Sequence, residues 1–204
     1  MLKVAVIGCG NMGQHHAKAY TTLEQVQFVA ACDSNLEGFD AIIKEPDTKY
    51  YPLVADMLKN EDLDAVSICV PTSQHHVVAK QCIDHGIAVL VEKPIAESVE
   101  EAKKLVQYAR EKNVLLTVGH IERFNPAILK AKEYIDQGKL GRIHAVQCKR
   151  YGPFPKQIKD ADVLVDVAVH DIDIVQFLVS SKLIQSDVYT HNIHCDDRAD
   201  YGHL

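Results

Sequence analysis

The sequence has no lysine- or arginine-rich run, no apolar stretch of membrane-spanning length, no Cys-x-x-Cys pair and no internal repeat or low-complexity segment. Each absence removes a class of function. Nucleic-acid surfaces need clustered cations, and a chain of formal net charge -6 without a basic run does not offer one. A membrane helix needs about 20 consecutive apolar residues. The N-terminus enters an apolar strand directly, without the basic segment, apolar core and cleavage site of an export signal. A cytoplasmic chain with no membrane contact is expected. Six cysteines (Cys9, Cys32, Cys69, Cys82, Cys148 and Cys195) stand apart from one another, which reads as free thiols in a reducing compartment. Cys9, Cys32 and Cys69 fall in or at the ends of expected strands, as small buried apolar groups. His191, His194 and Cys195 lack a convincing fourth ligand, so no metal site is expected. With 204 residues, 47% hydrophobic and 25% charged, the chain can hold one large domain, or one and part of another.

What is present is concentrated near the start. Gly8-Cys9-Gly10-Asn11-Met12-Gly13 follows the apolar run 2–7 and leads into a helical stretch, 12–22. A second strand, 26–32, then ends in Asp33. A Gly-x-Gly-x-x-Gly turn between strand and helix suits a dinucleotide. Gly8 permits the tight turn, Gly10 lets a pyrophosphate approach the backbone, and Gly13 lets helix and sheet pack closely. The N–H groups opening the helix, at Asn11, Met12 and Gly13, then face the phosphates. Asp33 can accept both hydroxyls of an adenosine ribose and repels a 2′-phosphate, and Ser34-Asn35 brings no arginine to attract one. NAD is therefore favoured over NADP. The same carboxylate can also cap a helix opening near Asn35.

Strand and helix alternate for the first 120 residues. Helices are expected at 36–44, 53–59, 74–85 and 98–112, and strands at 65–70, 88–91 and 114–118. Gly86 ends one helix, and the Ser98-x-x-Glu101 spacing opens another. Strands apolar on both faces and alternating with helices indicate a parallel sheet covered on both sides. The character changes near Pro126. A helix at 127–135, an alternating strand at 142–151, a loop with Pro153 and Pro155, a helix at 161–179 and a strand at 186–194 describe an α+β domain begun but not finished. The boundary is placed between 122 and 123.

Two constellations can carry chemistry. Glu92-Lys93-Pro94 follows a buried strand at the carboxyl end of the sheet, where ligands bind in open α/β folds. A lysine there can donate to a developing alkoxide or hold a hydroxyl, although a solvated strand-end lysine is the plainer alternative. Asp166, His170 and Asp173 are spaced four and three apart, which places them on one face of an α-helix among Val165, Val169 and Ile172. A histidine oriented by a carboxylate is a general-base arrangement. His75 or His76, just beyond Pro71-Thr72, is expected to line the cofactor cleft. His15 and His16 are expected on the surface of the first helix.

These motifs together resemble the Gfo/Idh/MocA oxidoreductases: the glycine turn, Val70-Pro71-Thr72 with His75, Glu92-Lys93-Pro94, the stretch Gly119 to Pro126, and Asp166-x-x-x-His170-Asp171-x-Asp173, in order along nearly the whole chain. The resemblance implies a Rossmann doubly wound parallel sheet followed by an α+β domain whose open mixed or antiparallel sheet covers the active site and mediates homo-oligomerisation. It implies that Lys93, Asp166 and His170 are the catalytic groups. Gly8, Gly10, Asn11, Met12, Gly13, Asp33, Pro71, Thr72, His75, Glu92 and Lys93 would hold the cofactor. By this analogy His170 takes the proton of a sugar hydroxyl while a hydride leaves the same carbon. Lys93 polarises or positions the oxygen, Asp166 orients substrate or imidazole, and the Lys93-Pro94 peptide is cis. The stretch from Gly119 to Pro126, with Arg150 to Pro155, looks most like members acting on UDP-N-acetylhexosamines, with oxidation at C3. Simple-sugar or inositol dehydrogenases are the alternative, since substrate choice lives in variable loops. Two departures stand out. Asp160-Ala161-Asp162 occupies the place where the family's helix opens after paired glycines. Members of the family also run further than Leu204, so the chain reads as shortened. A nucleotide-binding module inactive through truncation is the competing expectation.

Overall fold

The computed structural model describes residues 1–35, 47–152 and 162–204. The chain divides into two compact units, Met1–Gly119 and His120–Leu204. The helix expected at 36–44 and the loop carrying Pro153 and Pro155 lie outside the described residues.

The first unit is a six-stranded parallel sheet in the order β3-β2-β1-β4-β5-β6. Its strands are β1 (Leu2–Ile7), β2 (Val26–Cys32), β3 (Lys49–Tyr51), β4 (Ala65–Ile68), β5 (Ala88–Val91) and β6 (Leu116–Val118). Helices α1 (Asn11–Tyr20), α2 (Val54–Asn60), α3 (Thr72–Asp84) and α4 (Val99–Glu111) connect them. Alternation within β1 shows why both faces are covered. Ala5 and Ile7 join a core with Met57, Val78, Ile83 and Leu105 from α2, α3 and α4. Val4 and Val6 join the opposite core with Phe28 and with Ala17 of α1. Side chains alternate across a strand, so a strand apolar at every position needs helices on both sides. The capping spacing at Ser98 is realised: its side chain accepts the N–H of Glu101 at 3.2 Å.

Register aligns the strand ends. Cys32 pairs with Ile7, Ile7 with Ile68, Ile68 with Val91, and Val91 with Val118. The next residue of each strand therefore stands along one carboxyl edge: Asp33, Gly8, Cys69, Glu92 and Gly119. Each is still tied into the sheet through its main-chain N–H, at 2.7–3.1 Å from a neighbouring carbonyl. This edge is rigid scaffold rather than free loop.

The second unit contains a 3-10 turn (Ile121–Phe124), α5 (Pro126–Asp136), a π turn (Leu164–Ala168) running into α6 (Val169–Val179), and the antiparallel pair β7 (Tyr189–His191) and β8 (Tyr201–His203). Asn125 caps α5 by accepting the N–H of Ala127 at 3.0 Å, with Pro126 in the first turn. Two expectations are corrected here. The alternating stretch 142–151 forms no strand, and it is exposed apart from the partly buried Ile143. Its alternation offers few large apolar side chains to one face, and no described strand pairs with it. The strand expected over 186–194 is paired only at Tyr189–His191, because β8 is three residues long.

Candidate active site

The glycine turn sits at the end of β1, where the strand order reverses between β1 and β4. In open α/β sheets the crevice for a ligand lies at that switch point. Gly8 has φ +90°, and a Cβ there would stand 2.5 Å from the Cys69 carbonyl carbon, so only glycine fits between β1 and β4. A Cβ on Gly13 would lie 1.8 Å from the Gly8 carbonyl oxygen, so α1 rests directly on the turn. Gly10 is different: a Cβ there meets nothing within 4 Å. Open space at Gly10, ahead of a helix whose first turn carries no acidic side chain, is the shape and sign a pyrophosphate needs. The residues present thus fit a dinucleotide, with the N-terminal N–H groups of α1 toward its phosphates.

Asp33 is preset by the turn it serves. Its Oδ2 accepts the Cys9 N–H at 2.6 Å and its Oδ1 the Asn35 N–H at 2.9 Å. The carboxylate both ties β2 to the glycine turn and caps its own loop. The Cys9 thiol below is 6% exposed. Burial first, and then the Asp33 carboxylate, push it up to about 12, so it is an inert packing group. Pro71 precedes the first residue of α3, Thr72, at the end of β4. His75 does not face the cofactor edge as a free ring. It is 1% exposed and lies between two main-chain carbonyls, with Pro94 O at 2.7 Å from Nδ1 and Val70 O at 2.9 Å from Nε2. It holds the loops after β4 and β5 together, and the Lys93-Pro94 peptide between them is cis.

Glu92, expected beside the cofactor, is turned into the protein. It is 6% exposed, and its Oε1 is 2.8 Å from Nε2 of His16, while its Oε2 accepts the Lys93 N–H at 3.2 Å. Burial pushes this carboxyl up, but the His16 hydrogen bond and charge, with the Lys93 N–H and ammonium, outweigh it and hold the group below its ordinary value. His16 was expected on the surface and is corrected: its side chain is 11% exposed, whereas His15 is exposed as expected. The signal was present. Gly13, His16, Ala17 and Tyr20 fall at i, i+3, i+4 and i+7, the buried stripe of α1.

In the second unit, Asp166 lies in the π turn and His170 in α6. The three acids and bases expected on one α-helical face are therefore not equivalent. A π turn shifts the angular spacing, and such turns gather at functional sites. Asp173 is drawn into the protein, 7% exposed, where Arg123 grips it with both arms, Nε at 2.7 Å from Oδ2 and Nη2 on Oδ1. Arg150 donates to Asp171 at 3.0 Å and stands 3.7 Å from Glu122. Residues 120–123 thus form a strap bound to α6 by ion pairs. No spacing rule could find these partners, which lie 50 and 21 residues apart in sequence.

Known proteins are similar to this chain in sequence and fold. UDP-N-acetylglucosamine 3-dehydrogenase of Acidithiobacillus ferrooxidans is 34% identical over 181 residues, which is 89% of this chain and 55% of that protein. The NAD(+)-dependent scyllo-inositol 2-dehydrogenase of Bacillus subtilis is 28% identical over 188 residues, 89% of this chain and 55% of that protein. The solved structure of the Acidithiobacillus enzyme, GnnA, superposes with a TM-score of 0.84 at 32% identity, covering 98% of this chain and 61% of that one. The chain spans about half the length of the curated relatives it matches. Residues 2–120 match the family model described as the oxidoreductase family with an NAD-binding Rossmann fold, and residues 128–201 match the Gfo/Idh/MocA C-terminal domain. With both matches in sequence order on a 3-2-1-4-5-6 parallel sheet, the chain belongs to the Gfo/Idh/MocA oxidoreductase family.

Proposed function

We propose that the chain is the NAD-dependent part of a dehydrogenase that moves a hydride between a secondary alcohol of a sugar nucleotide and nicotinamide, with C3 of a UDP-N-acetylhexosamine as the reacting carbon. The observation that carries this reading is the carboxyl edge of the sheet, where the glycine turn, Asp33 and Lys93 follow the ends of β1, β2 and β5. Gly10, Asn11, Met12 and Gly13 take the phosphates, Asp33 takes the adenosine ribose, and Pro71 and Thr72 border the cofactor. NAD, when bound, supplies the hydride-accepting ring. The remaining work falls to the chain: His170 accepts the hydroxyl proton as the C–H electron pair leaves, and the Lys93 ammonium donates to the same oxygen as charge develops. Asp166 orients the substrate or the imidazole. The named activity of the Acidithiobacillus relative supports the sugar nucleotide, and that of the Bacillus relative supports an inositol or simple sugar as the alternative.

Homo-oligomerisation through the second unit belongs to the same reading. It is supported by β7 pairing, among the described residues, with β8 alone, and by the exposed Ile184, Tyr189 and Ile193. The deciding experiment follows NADH formation by the full chain against a panel of UDP-sugars, inositols and free sugars. Turnover with UDP-N-acetylglucosamine is expected, and His170→Ala should abolish it while NAD affinity holds. NAD binding without turnover on any substrate would favour a nucleotide-binding module, and surviving turnover in His170→Ala would remove the base assignment.

A further inference from the structure

Beneath Lys93 runs a buried polar chain that the chemistry above does not use. Tyr20 Oη lies 2.5 Å from Ser67 Oγ, Ser67 Oγ 2.9 Å from His16 Nδ1, and His16 Nε2 2.8 Å from Glu92 Oε1. Ser67 is fully buried in the middle of β4. Donor inventory fixes the end of the chain at Glu92. An ionised carboxylate only accepts, so His16 donates from Nε2, while Nδ1 and the Ser67 and Tyr20 hydroxyls share the other two bonds. Every member is satisfied, and such a network fixes one geometry. The carboxylate also has little room to turn. A Cβ on Gly119 would lie 3.0 Å from Oε1, so the β6 end backs the carboxylate from behind.

We propose that His16 is a positioning residue for Lys93. By holding one oxygen of Glu92, it leaves the other to fix the Lys93 main-chain N–H. His16 reaches neither substrate nor cofactor, since both ring nitrogens are engaged inside the unit. It sits five residues beyond the first residue of α1, about 7.5 Å along the axis, on the same helix whose N-terminus faces the cofactor phosphates. Cofactor site and lysine are thus set from one rigid element. A core histidine serving packing alone needs no carboxylate, and a buried carboxylate carries a desolvation penalty that such a partner helps to offset. The inference rests on the reading of Lys93 as a site residue given above.

Two near-isosteric substitutions separate positioning from packing. In His16→Gln the amide nitrogen overlies Nε2 and keeps the bond to Glu92. In His16→Asn it overlies Nδ1 and donates to Ser67 Oγ, whose own hydroxyl then turns to Tyr20, and the bond to Glu92 is lost. On the full chain, amide hydrogen exchange at Lys93 read by NMR should accelerate about tenfold or more in His16→Asn and His16→Ala, the loss of one charge-assisted hydrogen bond. His16→Gln should stay close to the wild type. kcat should fall in the same order with NAD affinity nearly unchanged. Equal exchange at Lys93 in all variants overturns the inference, whatever the turnover. So does an equal loss in His16→Asn and His16→Gln that parallels melting temperature, which would make the role packing alone. If the wild type turns over no substrate, the functional reading falls, and the exchange pattern still decides this one.

Discussion

The contrast between Gly10 and Gly13 offers the sharpest test of the cofactor site, because the two glycines are required for different reasons. An alanine at 13 places its Cβ 1.8 Å from the Gly8 carbonyl oxygen and must move about 1.6 Å to reach ordinary contact at 3.4 Å. The obstacle is backbone, so no rotamer change relieves it. Overpacking of this kind costs about 1–3 kcal/mol even after the helix preference of alanine, worth about 1 kcal/mol, is counted. For a cooperative unit of this size, about 4 °C is lost per kcal/mol, so Gly13→Ala should melt about 4–12 °C below the wild type. Gly10 has φ -67° and open space around it. Gly10→Ala forfeits only part of a weak helix cap and should cost less than about 1 kcal/mol. Its methyl group occupies the approach of the pyrophosphate, however, and the loss of one such charge-assisted hydrogen bond, about 1.5–3 kcal/mol, weakens NAD about 10- to 150-fold. Thermal melts followed by circular dichroism give the stabilities. NADH titration followed by the ligand's own fluorescence gives the affinities, without interference from tryptophan, which the chain lacks. The reasoning is refuted if Gly10→Ala binds NADH like the wild type, or if it destabilises as much as Gly13→Ala.

Asp33→Ala should weaken NAD by about tenfold, the value of a ribose hydrogen bond, and reduce discrimination against NADP. Unchanged preference in a binding titration would leave Asp33 as a cap alone. Glu92 is held below its ordinary value of 4.5, so its share of stability is complete above that pH and lost as pH falls below it. The gap in melting temperature between wild type and Glu92→Gln should therefore narrow on acidification, and a gap that widens would contradict the assignment. Burial, the largest cause, raises the thiols of Cys9 and Cys82 to about 12 and of Cys32 to about 11, from 9.0. These stay protonated in the fold, so their contribution is complete below pH 9 and declines as pH rises toward those values. At pH 8 a thiol reagent monitored by mass spectrometry should label the exposed Cys148 rapidly, and Cys9, Cys32 and Cys82 only on unfolding.

Much of the first unit was legible because its signals are local. The apolar runs 2–7 and 26–32 coincide with β1 and β2. The Gly-x-Gly-x-x-Gly turn needs only neighbouring residues to be recognised, and caps such as Ser98 act within one turn of helix. β3 was missed because three residues, Lys49 to Tyr51, pair with β2 at the sheet edge without an apolar run of their own. His16 departs from its surface expectation because its place on the stripe of Gly13, Ala17 and Tyr20 outweighs the polarity of its side chain. The stretch 142–151 forms no strand for the opposite reason. Alternation is a property of the segment, but a strand is a property of a pair.

By itself, then, the sequence determined a parallel α/β unit with a nucleotide turn at its first strand end and an acid at the second, since strand period, glycine spacing and charge are read within a few residues. Only the tertiary structure decided how those residues work: that Asp33 ties to Cys9, that His75 clamps two loops, that Arg123 grips Asp173, and that Glu92 is held between His16 and Lys93. These partners are between 1 and 76 residues apart in sequence, most of them far outside one turn of helix. Hydrogen bonds and ion pairs depend on a few ångströms of distance, and distance across a sheet is set by strand order and register, which no local pattern encodes.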